Sequence, residues 1–125
     1  MAYTTINKHT AHFNTKLYTG NNGSQSITGV GFQPDMTWIK KRDGAADSSL
    51  MDSVRGVRKS LTTNNAEAEY TETTGLSSWD ADGFSFDGAG FDHVNTSNTF
   101  VSWNWKAETT GSGSTTGGGT SKTYN

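Results

Sequence analysis

The 125-residue chain carries a net charge of −2 at pH 7, and only 30% of its residues are hydrophobic. This length accommodates one domain, and the low apolar content suits a thin β-sandwich better than a bundle of buried helices. The chain has no cysteine, which excludes disulfides and thiolate metal sites. The basic footprint that nucleic-acid binding requires is missing, and no run approaches the roughly 20 apolar residues of a membrane span. We therefore expect neither nucleic-acid binding nor membrane insertion.

The first half of the chain begins with a polar stretch, residues 1–11, which predicts a flexible or partner-ordered arm. From Phe13 the side chains alternate with a period of two, which predicts a strand to Thr19. The turn sequence Gly-Asn-Asn-Gly at 20–23 then predicts a tight hairpin with residues 25–30 as the partner strand.

Further strands follow the only proline, Pro34, which predicts a corner between strands. Residues 36–42 predict a strand with Trp38 as a core anchor. Residues 49–54 predict another strand, followed by an irregular segment. A helical turn over 50–61 is the alternative, because four aliphatic side chains recur there at helical spacing.

The second half adds an edge strand within 66–73 and two strongly alternating segments, 83–87 and 99–106. In the last segment one face carries Val101, Trp103 and Trp105, and we expect this strand to be central and to supply much of the core. The Gly/Ser/Thr-rich segment 108–125 predicts a flexible linker or a partner-ordered arm. Together these patterns predict an all-β fold for 12–107: an antiparallel β-sandwich of seven or eight short strands.

Several motifs resemble a repeat unit found in virion and tail-fibre-type proteins of bacteriophages, many of them marine. The specific ones are GVGFQPD-x-x-WIK at 29–40 and W-x-W-K-A at 103–107; DSVRG at 52–56 and GLSSWDADGFSF at 75–86 accompany them. The resemblance covers residues 4–107. It implies a lectin-like jelly-roll sandwich of the concanavalin or laminin-G type in a virion structural protein, and it brings no catalytic residues.

Aromatic side chains are the first candidates for a binding site. Trp38, Trp103 and Trp105 could stack on sugar rings, but their alternation with polar residues favours core packing. Trp79 lies in a loop-like stretch, where contact with a ligand or a neighbouring subunit is the alternative to packing over the sandwich edge.

The carboxylates Asp80 and Asp82 resemble the start of a calcium loop, but Phe84 and Phe91 occupy the positions where the twelve-residue motif needs oxygen ligands. We therefore predict no metal or cofactor, with a loosely bound, lectin-type calcium ion as the alternative. Asp52 and Arg55 predict an ion pair that fixes a turn, and a grip of Arg55 on an acidic sugar or a partner carboxylate is the alternative.

No nucleophile, zinc or phosphate-binding motif occurs in the sequence, so we expect no enzyme. The leading hypothesis is an oligomeric virion protein, assembled in the host cytoplasm and released by lysis. Its loops would present the sandwich to a host-surface glycan or protein as part of a tail fibre or tail-associated appendage. The alternative is a capsid decoration or connector protein whose terminal arms bind neighbouring virion subunits. The predicted contact residues are Asn21, Asn22, Arg42, Asp43, Arg55, Trp79, Asp80 and Asp82.

Overall fold

A computed structural model describes residues 9–90 and 92–107, together with the backbone of 113–115 and 122–124. Two antiparallel sheets of six and three strands form the domain, and a short two-stranded ribbon follows. Within the described residues the only helical element is a single 3-10 turn, His9–Ala11. The predicted all-β antiparallel sandwich is therefore confirmed, with nine strands instead of seven or eight.

The strands are short, as expected for a chain interrupted so often by turn residues. Their bounds are β1 Phe13–Thr19, β2 Ser24–Ile27, β3 Met36–Lys41, β4 Ser49–Asp52, β5 Lys59–Thr62, β6 Tyr70–Thr71, β7 Leu76–Asp80, β8 Gly83–Asp87, β9 Thr99–Trp105, β10 Gly113–Thr115 and β11 Lys122–Tyr124. The large sheet has the order β1-β9-β3-β4-β5-β6, the small sheet β2-β8-β7, and the ribbon β10-β11.

The turn at 20–23 does not form the predicted hairpin. β1 pairs with β9 in the large sheet, whereas β2 pairs with β8 in the small sheet, so the chain crosses between sheets at this turn. Of the two central residues only Asn22 has a positive φ, 61°, although a tight hairpin of the predicted type needs two. The turn is real, but its partner strand was wrongly predicted.

The predicted central position of the last strand is confirmed. β9 lies between β1 and β3 and pairs with β1 along its whole length and with β3 over 100–105, with Trp103 opposite Thr15 and Trp38. Because a strand with two neighbours satisfies its hydrogen bonds on both sides, β9 anchors the large sheet.

The core lies between the two sheets and is rich in phenyl rings. Tyr18 stacks on Phe100 at a centroid distance of 5.3 Å, and its hydroxyl donates to the Val94 carbonyl oxygen at 2.6 Å. Burial raises the pKa of this tyrosine well above its ordinary value. The large sheet supplies Ile39, Met51 and Phe100, the small sheet Ile27, Leu76, Phe84 and Phe86, and a loop supplies Val94.

The face of β9 that we expected in the core points outwards. Phe100, Ser102 and Asn104 face the small sheet, which places Val101, Trp103 and Trp105 on the opposite face, where Val101 is nonetheless buried by its neighbours and the two tryptophans are half-buried. Trp38 lies beside Trp103 on that outer face and is 37% exposed, so its assignment as a core anchor was wrong.

The polar residues of the buried face are accommodated because they bind one another. Thr37 donates its hydroxyl proton to the Asn104 side-chain oxygen at 2.8 Å, and the Asn104 amide donates to the Asn14 carbonyl oxygen at 3.1 Å. Buried polar groups that find partners in this way do not oppose folding.

The middle of the chain is more regular than predicted. β4 ends at Asp52, and β5 forms from Lys59 where we expected an irregular segment. The helical alternative for 50–61 is wrong. The predicted strand within 66–73 is reduced to the two-residue edge strand β6.

The proposed terminal arms are only partly described. Residues 1–8 of the predicted arm lie outside the described residues, as do 108–112, 116–121 and 125 of the predicted tail. The residues that the structure does describe include no helix with the length and apolarity needed to span a membrane.

Candidate functional site

Several loops gather at one end of the sandwich, which we call the loop end. It comprises the connections at 20–23, 42–48 and 63–69 and the segment that follows β8, described at 88–90 and 92–98. The antiparallel order places them together, because β1 and β3 end at the edge where β4 and β9 begin. Four of the predicted contact residues, Asn21, Asn22, Arg42 and Asp43, therefore share one end.

Asn95 fixes the geometry of the loop end. This fully buried amide donates to the carbonyl oxygens of Gly23 at 2.7 Å and Gly88 at 3.1 Å, and its own oxygen accepts the Asn21 backbone N–H at 3.2 Å. A side chain that uses its donors and acceptor in this way ties two loops together.

The predicted contact residues Asn21 and Asn22 also shape this turn. Asn21 accepts the Gly23 backbone N–H at 2.9 Å, and Asn22 donates to the Ser97 hydroxyl. Both residues remain exposed, so they can still contact a ligand, but part of their hydrogen-bonding capacity is used within the loop.

Arg42 and Asp43 lie beside the start of β9. Asp43 accepts the Thr99 backbone N–H at 2.8 Å, and this bond is the main reason that its pKa is lowered. The Arg42 backbone N–H donates to the Thr99 carbonyl oxygen at 2.8 Å, and its side chain is left exposed at the rim of the loop end.

Two adjoining cavities open at the loop end and share His93. One has a volume of about 470 Å³ and is lined by Glu67, Ala68, Tyr70 and His93. The other, of about 520 Å³, is lined by Lys40, Ala45, Ala46, Asp47, Asn64, Asp92 and His93. Each is within the size range of small-ligand pockets.

The walls of these cavities are held by polar contacts. The Asp47 carboxylate accepts from the Asn64 amide at 2.6 Å, and Lys40 donates to the Ala46 carbonyl oxygen. On the other side the Tyr70 hydroxyl lies 3.2 Å from His93 Nδ1. Aromatic rings beside carboxylate, amide and ammonium groups offer both stacking surfaces and hydrogen bonds to a polar ligand.

Lys41 and Asp92 fix the boundary between the second cavity and the core. The Lys41 ammonium is buried and lies 3.2 Å from the exposed Asp92 carboxylate. The backbone of Asp92 has a positive φ of 71°. The bond from Lys41 is also the main reason that the pKa of Asp92 is lowered.

The remaining predicted contact residues lie at the opposite end of the sandwich. Asp82 accepts the backbone N–H groups of Gly29 at 2.9 Å and Gly31 at 2.6 Å, which lower its pKa. Asp80 accepts the hydroxyls of Ser78 at 2.8 Å and Ser85 at 2.5 Å. These carboxylates pin the turn and the adjacent loop. Among the described residues no group of three or more metal-ligating side chains is close enough to hold an ion.

Trp79 lies in strand β7, where we had expected a loop. It pairs with Phe84 and packs partly buried against the core, and its indole N–H is buried without a hydrogen-bond partner among the described residues. This placement agrees with the favoured prediction that Trp79 packs on the sandwich, although it lies in a strand.

The predicted ion pair between Asp52 and Arg55 is present. Arg55 Nε lies 2.5 Å from Asp52, and its other nitrogens reach the Glu69 carboxylate at 3.2 Å and the Leu50 carbonyl oxygen at 3.1 Å. With its donors used in this way, Arg55 fixes the turn after β4.

Glu72 was not singled out in the sequence, although it is the most unusual titratable group described. Its side chain is 2% exposed, and both carboxyl oxygens have no hydrogen-bond partner among the described residues. Burial, with a smaller contribution from the nearby Asp87 charge, raises its pKa to about 7. The side chain packs so closely on Gly75 that a Cβ there would overlap its carboxyl group.

The outer face of the large sheet is a second candidate surface. The ring centroids of Trp38 and Trp103 are 5.1 Å apart, and those of Phe13 and Trp105 are also 5.1 Å apart. Leu17, at the edge of the same face, is 56% exposed. The other apolar members of the outer face are Met36, Leu50, Leu61 and Val101.

A family model described as a domain of unknown function (DUF7483) matches residues 8–124. The chain belongs to this family. No curated protein and no solved structure matches it. The DUF7483 match covers the sandwich and extends over the ribbon β10–β11 as well.

Sequence reasoning missed Asn95, His93 and Glu72 in this DUF7483 domain. Their signal is weak because each depends on partners distant in sequence: Asn95 binds residues more than 70 positions away, and Tyr70 and His93 are 23 apart.

Proposed function

We propose that this DUF7483 domain is a non-enzymatic virion structural protein that attaches to a host-surface glycan. The observation that carries the proposal is the pair of adjoining cavities at the loop end, joined at His93. Support for the virion setting comes from the phage-type motifs in the sequence.

The lining chemistry suits a sugar. Tyr70 and His93 provide ring faces, while Asp47, Asn64 and Lys40 provide hydrogen-bonding groups around the second cavity. The rings can pack on the apolar face of a pyranose, and the polar groups can bind its hydroxyls. The sheet ends hold these groups on a rigid frame, and many copies on one particle would strengthen individually weak contacts.

Binding of the purified full chain to host cells and to an array of surface glycans tests this proposal. We expect His93→Ala to weaken binding by about tenfold or more, since it removes the side chain common to both cavities. His9→Ala is the matched control, because His9 is exposed and lies in the 3-10 turn before β1. An unchanged affinity of His93→Ala for a glycan that the wild type binds would contradict the proposed site. Absence of any glycan binding would contradict the function.

The apolar outer face favours a second candidate, a capsid decoration or connector protein. Trp38 and Leu17 offer the exposed apolar area that subunit contacts use. The terminal arms that this candidate invokes are mostly outside the described residues. Protection of these arms from proteolysis in the assembled particle, together with failure of the free domain to bind host cells, would favour this candidate over attachment.

A further inference from the structure

We infer that the outer face of the large sheet packs against the same face of a second copy of this chain. The observation behind it is independent of the proposed glycan site: an apolar sheet face with polar and charged residues around it.

The centre of the face is aromatic and aliphatic. Trp103 lies between Thr15 and Trp38 in the sheet, Trp105 lies between Phe13 and Met36, and Val101 lies between Leu17 and Lys40. Three neighbouring rows therefore place large apolar side chains side by side. Antiparallel sheets usually leave such a face to water only when it is polar.

The charges along the border allow self-association. On the β4–β5 side Asp52 pairs with Arg55, and Glu69 pairs with both Arg55 and Lys59. Because these charges neutralise one another, the described strands of the face keep only the single positive charge of Lys40, and two identical faces would meet without strong repulsion. A face with a large net charge would instead repel its own copy.

The area is sufficient for a dimer. Strands β1, β9, β3, β4 and β5 carry the face. At a spacing of about 4.8 Å and a rise of about 3.4 Å per residue they cover roughly 450 Å² in projection. The side chains that project from the sheet add accessible area to this projection. Two copies would therefore bury on the order of 1,000 Å² in total, which is near the lower limit of specific interfaces. Two twisted sheets can pack face to face in this way at an angle of about 30°.

Other occupants fit this face less well. The segment 108–125 contains only one large apolar side chain, Tyr124, and so has little to cover an aromatic surface. For a flat polysaccharide, coplanar rings would be needed, whereas Trp38 and Trp103 are inclined by 39° and Phe13 and Trp105 by 51°. A second copy supplies complementary apolar area without either difficulty.

Sedimentation velocity of the full chain over a range of concentrations tests the inference. We expect a reversible dimer in the wild type and at least about tenfold weaker association in Leu17→Glu, which places a charge on the face. Thr28→Glu is the matched control, since Thr28 is exposed and directly follows β2, a strand of the other sheet. It should dimerise like the wild type.

A second variant tests the same face without removing an apolar side chain that folding could require. Thr15 is exposed beside Trp103, so Thr15→Lys adds a charge without removing an apolar side chain, and it should also dissociate the dimer. Near-ultraviolet circular dichroism checks that each variant is folded. A wild type that stays monomeric at high concentration would overturn the inference and leave the face to a different protein. A dimer that survives both substitutions would overturn it too, because the contact would then lie elsewhere.

Discussion

Asn95 shows how one buried amide can position the loops at one end of a sandwich. Its hydrogen bonds connect the turn after β1 with the segment after β8. Both segments belong to the loop end, so a change at Asn95 should alter the stability of the domain as well as the arrangement of its loops.

We expect Asn95→Ala to lower the free energy of unfolding by about 2–3 kcal/mol, because buried partners lose their hydrogen bonds. Chemical denaturation measures the effect. Asn65→Ala is the control: Asn65 is exposed, and its amide lies 3.5 Å from Asp47, so the change should be small. Equal stability of Asn95→Ala and the wild type would show that these bonds contribute little.

Glu72 gives the domain a distinctive dependence on pH. Its pKa in the folded state is about 7, above the value of 4.5 for the free group, so the folded protein binds the extra proton between these values. The contribution of Glu72 to the free energy of unfolding should therefore be largest below about pH 4.5. It should be lost as the pH rises to about 7. The shift corresponds to roughly 3 kcal/mol. Nearby Asp87 opposes ionisation of Glu72, although Arg58 pairs with that aspartate.

Glu72→Gln should remove this dependence, because glutamine matches the neutral carboxyl group in size. At pH 8 we expect the variant to be about 2 kcal/mol more stable than the wild type, and at pH 5 about equal. Denaturation at the two pH values measures both. Glu67→Gln, at an exposed position, should show no such difference. A constant difference between Glu72→Gln and the wild type at both values would contradict a raised pKa.

At the scale of elements, the β7–β8 turn depends on Gly83. Its φ is +151°, and a Cβ at this position would overlap the Ile27 carbonyl oxygen of the paired strand β2. The close approach allows β2 and β7 to flank β8 in the small sheet.

Gly83→Ala should destabilise the fold by about 2 kcal/mol or more, since either the sheet or the turn must shift. Gly44→Ala is the matched control, because a Cβ there meets only Lys41 Cδ at 3.4 Å. Thermal unfolding of the two variants gives the comparison. Equal transition temperatures would mean that the small sheet accommodates a methyl group at position 83 without loss of stability.

Strand positions could be predicted well from the sequence. Which strands pair, and which face of each strand is buried, could not. The alternation in 13–19 and 99–105 located β1 and β9, since the period depends only on the local sequence. Which face is buried depends on the layer above it. Ser102 and Asn104 are covered because distant polar groups satisfy them, and this cannot be seen in the alternation. For the same reason the loop end was predicted only as a set of loops, without the cavities at His93.

At the scale of the whole molecule, the sandwich is complete at Ala107. The Lys106 backbone N–H donates to the His12 carbonyl oxygen at 2.8 Å, and the Ala107 N–H donates to the Asp35 carboxylate at 2.8 Å. These bonds close the end of β9 onto the start of β1 and β3.

A chain ending after Ala107 should therefore unfold within a few degrees of the full chain, because every core contact is retained. Differential scanning calorimetry of both chains tests this expectation. A much lower transition for the shorter chain would show that the ribbon β10–β11, which lies within the family match, supports the sandwich.

The pairing of β1 with β9 has one more consequence. Phe13 lies directly opposite Trp105 in adjacent strands, so the backbone enters and leaves the domain within about 5 Å, whereas the His93 cavities are at the far end. A unit tethered in this way can be spliced into a surface loop of an unrelated carrier without stretching it. The loop end would then project away from the carrier.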